Sequence, residues 1–81
     1  MNTYVLTLTA DELRLIESAL MRERTRFNSE TVHYREISQQ LSAAGDSSGA
    51  RSALHRSGRM RAAHQSVTAI LRKIDELTAD E

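Results

Sequence analysis

At 81 residues and with no cysteine, the chain is confined to one small domain, without disulfides or thiolate metal sites. Eleven basic residues balance eleven acidic ones, so net charge singles out no class of partner. A chain this short buries only ~60% of the surface its unfolded form exposes. With disulfides and metal set aside, assembly with another chain is the reinforcement left to it.

No apolar run approaches the ~20 residues that cross a bilayer. Residues 1–10 carry neither the basic nor the apolar region of a secretory leader. The expectation is a cytoplasmic, single-domain protein over 1–81, with no membrane association. Ten of the eleven basic residues are arginine. Arginine forks bind carboxylate and phosphate in two-point geometry, although the codon usage of a GC-rich genome produces the same excess.

In residues 3–8, Tyr4, Leu6 and Leu8 alternate with Thr3, Val5 and Thr7, the period-two pattern of a strand. No second β-run follows. A lone strand has unpaired donors and acceptors on both edges and tends to pair with another chain. The expectation is therefore a homo-oligomer, with Tyr4, Val5, Leu6 and Leu15 at the interface between copies.

A helix is expected over 10–42. Thr9 stands at its N-cap with Glu12 three residues later, the signature of a capping box, and Leu8 and Leu13 flank the cap as a hydrophobic staple. Asp11 and Glu12 suit the positive end of the helix dipole. A seven-residue spacing then runs through Leu13, Leu20, Phe27, Tyr34 and Leu41. Its companions three residues on are Ile16, Glu23, Glu30 and Ile37, apolar at the ends and acidic in the middle. Asn28 and Ser29, both good N-cap residues, fall in that weak middle, where a kink or break near residue 28 is the expectation.

Residues 43–49 form the connector. Gly45 supplies a left-handed stop, and Asp46, Ser47 and Ser48 each offer an N-cap. A second helix follows over 50–77, apolar in its C-terminal half at Met60, Ala63, Val67, Ile70, Leu71, Ile74 and Leu77. The short connector makes the two helices antiparallel neighbours. The expected fold is mainly α: a short N-terminal strand and a long helical hairpin, completed by oligomerisation. Leu15, Met21, Leu54 and Ile70 are expected on the side that the hairpin leaves uncovered. The register sets Tyr34 roughly opposite Gly58, where the glycine gives the ring room.

Signatures of catalysis are missing: there is no Gly-x-Ser-x-Gly turn, phosphate loop, His-Glu-x-x-His or cysteine nucleophile. An enzyme is not expected, and no cofactor is implied. Glu23 and Glu30 lie two turns apart but lack the Glu-x-x-His of di-iron bundles, so they read as solvated or paired with Arg22, Arg24 and Arg26. His33, His55 and His64 lack metal-ligand spacing.

The basic stretch of the second helix is the strongest functional lead. Arg51, His55, Arg59 and, with some angular drift, Ala62 descend one face in four-residue steps, Arg56 lies beside them and Arg61 on a neighbouring flank. Cations in the first half of a helix oppose its dipole, which calls for a compensating anion: an acidic protein surface, a nucleotide or nucleic acid phosphate. The alternative is a solvated face whose arginines pair with Glu30, Glu36 and Asp46. The connector Asp46-Ser47-Ser48-Gly49-Ala50-Arg51 also has the composition of a small phosphate nest. Nucleic-acid binders interleave exposed aromatics with basic residues, whereas Tyr4, Phe27 and Tyr34 all read as structural.

The opening Met-Asn-Thr-Tyr-Val-Leu-Thr-Leu-Thr-Ala-Asp-Glu-Leu-Arg-Leu-Ile-Glu-Ser-Ala-Leu resembles small phage and prophage accessory proteins built from a short strand, a capped helix and a second helix. The likeness covers about the first twenty residues and transfers no functional residue. It implies a protein that occupies the surface of a host factor, such as a defence component, in the host cytoplasm. The same segment resembles the ribbon-helix-helix repressors, whose paired strands enter a DNA groove. Here the expected helices are about twice as long, and the strand offers Thr and Tyr without Arg or Lys. The reading favoured by the residues is a non-enzymatic interaction protein, with a binder of an anionic ligand as the alternative.

Overall fold

The computed structural model describes residues 2–79; Met1, Asp80 and Glu81, at the ends of the expected domain, lie outside the described residues. Two helices, α1 (Ala10–Ala43) and α2 (Ser47–Thr78), form an antiparallel hairpin measuring 55 × 26 × 17 Å. At 1.5 Å per residue each helix is on the order of 50 Å long, so the molecule is one helical layer.

The start of α1 follows from its first four residues. Thr9 Oγ1 accepts from the Glu12 N–H at 3.1 Å, and the Glu12 carboxylate accepts from the Thr9 N–H at 2.9 Å, a reciprocal capping box. These hydrogen bonds to its ionised form hold the Glu12 carboxyl below the usual glutamate range. The end of α1 is a Schellman turn: the Asp46 N–H donates to the Leu41 carbonyl at 2.9 Å and the Gly45 N–H to the Ser42 carbonyl at 3.1 Å. Gly45 adopts φ +87°, a left-handed conformation that an L side chain strains. Asp46 then caps α2, accepting from the Gly49 N–H at 2.9 Å. The second helix thus begins three residues before the expected position 50.

Three expectations are corrected. Residues 2–8 form no strand, because β-structure needs a neighbouring ladder and the hairpin offers none. Helix α1 is continuous from Ala10 to Ala43, with no break near residue 28. Asn28 and Ser29 stay exposed, and the adjacent Thr31 hydroxyl donates to the Phe27 carbonyl at 2.8 Å, a bond within the helix. Gly58 does not accommodate Tyr34: a methyl added there would meet nothing within 4 Å.

The seam also differs from its expected register. On α2, residues Ala50, Ala53, Ser57, Val67, Leu71 and Ile74 are buried, a seven-residue repeat in which the first half is small and the second is large. On α1 the heptad residues Leu13, Leu20, Phe27, Tyr34 and Leu41 are half-buried. The most buried residue of that helix is Thr31, four residues after Phe27. Thr31 and Ser38 thus face α2, with Glu17 and Arg24 half-buried in the same column, while Glu23, Glu30 and Ile37 are half-buried beside it and Ile16 is exposed. Near the connector the small residues let the backbones approach. There the Ser38 hydroxyl donates to the Ala50 carbonyl and the Ser57 hydroxyl to the Thr31 carbonyl, each at 2.8 Å. Toward the open end, Val67, Leu71 and Ile74 build the apolar part of the core.

Candidate functional site

The buried seam fixes where every other side chain of α2 points. Ala50, Ala53 and Ser57 are buried against α1, and residues between them on the helix, among them Arg51, His55 and Arg59, face outward. Arg51, His55 and Arg59 are all exposed and line one open depression of about 500 Å³ with Leu54, Gly58 and Ala62. The floor of this depression is small and apolar, and its rims are basic. It is built from one helix and runs along its outer surface.

Arg56 and Arg61 are exposed too, but they diverge. The Arg56 guanidinium lies 5.6 Å from the centroid of the Tyr34 ring on α1, a cation–π distance. It also borders a second hollow with Ser48, Ser52 and the three residues above. Arg61 leaves the group. It turns to the opposite flank and lines a depression between the helices with Asn28, Thr31 and Arg35. Of the five basic residues expected to act together, Arg51, His55, Arg56 and Arg59 share a surface and Arg61 does not.

Electrostatically the face is uncompensated. Residues 47–74 include Arg51, Arg56, Arg59, Arg61, Arg72 and Lys73 and no Asp or Glu. Among the described residues the ion pairs are Arg14–Asp11 at 3.5 Å and Arg26–Glu23 at 2.7 Å, both within α1. Among the described residues the α2 arginines form no ion pair with Glu30, Glu36 or Asp46; Asp46 is engaged as the α2 cap, and Arg56 turns to the Tyr34 ring. That same cap removes the phosphate nest: the Asp46 carboxylate occupies the place an anion would take at Gly49.

The residues expected between copies cluster at the open end of the hairpin. Tyr4, Val5 and Leu6 are 85%, 96% and 75% exposed, and Leu15 in the second turn of α1 is 69% exposed. Ile16, and Ile70 and Leu77 from the end of α2, add three exposed apolar side chains at the same end. Leu15, Met21, Leu54 and Ile70 are all exposed.

Sequence reasoning missed Leu54 as part of the basic face, although its spacing of three residues from Arg51 was visible. No helix is long and apolar enough to cross a membrane among the described residues. Comparison with family models, with curated proteins and with solved structures returned no match.

Proposed function

We propose that this chain is an interaction protein: a helical hairpin that assembles with a second copy through its open end and presents its remaining faces to a partner. The observation that carries this reading is the inverted apolar balance of the hairpin. Among the described residues only Ala50, Ala53, Val67, Leu71 and Ile74 form the buried apolar core, whereas ten large apolar side chains are exposed. Seven of those ten belong to the open end, and clustered apolar exposure of this kind marks interaction surfaces. Residues 2–8 also carry backbone groups with no ladder partner, which a strand from a second copy would satisfy.

Static light scattering at micromolar concentration tests the reading. The expected mass is at least twice the 9.1 kDa of one chain, and Tyr4→Ser with Leu6→Ser should return it to one chain. A folded wild-type monomer overturns self-assembly. The narrower reading, a phage-encoded inhibitor acting on a host factor in the cytoplasm, rests on the resemblance of the first twenty residues alone. The alternative, capture of an anion on α2, is favoured by the lack of carboxylate partners around Arg51, His55 and Arg59.

A further inference from the structure

The depression on α2 joins two features that separate its candidate ligands. Its basic side chains follow a strict four-residue step, Arg51, His55 and Arg59, which places them roughly 6 Å apart along the helix axis. Between them lies an aliphatic floor of Leu54, Gly58 and Ala62. A nucleic acid strand would bring flat bases that stack on aromatic rings, and the depression holds no Phe, Tyr or Trp and a single imidazole, His55. A second helix laid alongside has the same 6 Å repeat. Carboxylates at every fourth position on it would meet the three basic side chains in register, while its small apolar residues would cover the floor.

Gly58 supports the same occupant. It stands in the middle of a 32-residue helix, where glycine is disfavoured. Packing within the chain does not demand it, since a methyl there would touch nothing within 4 Å. It lies at the centre of the floor, where a missing side chain lets a second backbone come close.

We propose that the outer face of α2 is a docking groove for an acidic, amphipathic helix of a partner protein, whose carboxylates engage Arg51, His55 and Arg59 and whose small apolar residues pack over Leu54, Gly58 and Ala62. This assignment rests on the reading of the chain as an interaction protein and is independent of self-assembly at the open end.

The test uses the full chain and a fluorescein-labelled helical peptide of about 20 residues, ~30 Å long. The peptide carries Glu at every fourth position beside an Ala/Leu face. A second peptide has Lys in place of each Glu, and a DNA duplex of similar length completes the set. The Glu peptide should saturate in fluorescence anisotropy, and Arg51→Glu with Arg59→Glu should weaken it at least tenfold. Gly58→Leu, which fills the floor, should weaken it comparably; circular dichroism checks that each variant is folded, and the double charge variant changes exposed positions only. The Lys peptide should bind at least tenfold more weakly than the Glu peptide. Failure of the Glu peptide to saturate, or equal binding of the Lys peptide, overturns the proposal. Tighter binding of the duplex than of the Glu peptide overturns it in favour of nucleic acid. Light scattering of the double charge variant should give the wild-type mass; a drop to one chain would overturn the proposal by assigning the face to a second copy, whereas a monomeric wild-type chain that still binds the Glu peptide rejects only self-assembly.

Discussion

The Ser57 hydroxyl of α2 donates to the Thr31 carbonyl of α1 at 2.8 Å, inside the seam, where the two residues are 4% and 6% exposed. A serine hydroxyl reaches a carbonyl on a facing helix only when the two backbones are close, and the burial of Ala50 and Ala53 shows how that closeness is reached. The pair therefore sets the spacing of the connector half of the hairpin. Ser57→Ala keeps the small volume and loses one hydrogen bond, an expected loss of about 1 kcal/mol. Ser57→Leu forces the helices apart, and overpacking of this kind costs ~1–3 kcal/mol. Urea denaturation of the three proteins should rank them wild type, Ala, Leu. A leucine variant more stable than wild type would show that the close approach contributes nothing.

The capping box makes a second prediction. Thr9→Ala removes the acceptor of the Glu12 N–H and should lower stability by ~0.5–2 kcal/mol, measured by denaturation at neutral pH. An unchanged midpoint would mean that α1 gains nothing from starting at Ala10.

Much of the fold was legible because its signals are local. Thr9 with Glu12, and Gly45 with Asp46, are short-range patterns that dictate where helices begin and end without reference to the rest of the molecule. The seam was harder to read. The apolar heptad Leu13 to Leu41 gave one column correctly, but the second was assigned three residues on, to Ile16 and Ile37, because those are the apolar companions. The column that actually turns toward α2 includes Thr31 and Ser38, whose hydroxyls are satisfied by backbone carbonyls. Hydrophobicity does not register a buried residue of this kind. On α2 the buried Ser57 fills the seam, which leaves the neighbouring Gly58 exposed. The strand failed for a different reason: alternation in residues 3–8 describes a preference, and the ladder that would realise it is not supplied by one chain.

Acid should weaken the start of α1 through Glu12. Its carboxyl is held below the ordinary range by hydrogen bonds to its ionised form. A group depressed in the folded state stabilises above its unfolded pKa of about 4.3, and that contribution is lost as pH falls through the folded value. The loss therefore belongs to the strongly acidic side of the glutamate range. Glu12→Gln cannot ionise, so the difference in thermal midpoint between wild type and variant should shrink as pH is lowered from neutral through that range. A difference that stays constant with pH would show that the ionised form of Glu12 has no special role.

The last prediction separates stability from recognition at one residue. Gly58 is exposed, helical and surrounded by open space, so nothing inside the chain resists a methyl group there. Alanine is favoured over glycine in a helix interior by roughly 0.5–1 kcal/mol, and part of that gain comes from restricting the unfolded chain. Gly58→Ala should therefore raise the denaturation midpoint by an amount equivalent to that range. A destabilised variant would restore the contact with Tyr34 that the register first suggested, because only a facing side chain could turn an added methyl into a penalty. The effect on recognition should have the opposite sign. A methyl at the centre of the floor holds a docked backbone farther from α2 and lengthens the reach of Arg51, His55 and Arg59 to its carboxylates. The alanine variant should thus be the more stable protein and the weaker binder of the Glu peptide. Unchanged affinity in a stabilised variant would leave Gly58 as a glycine tolerated on a solvent face.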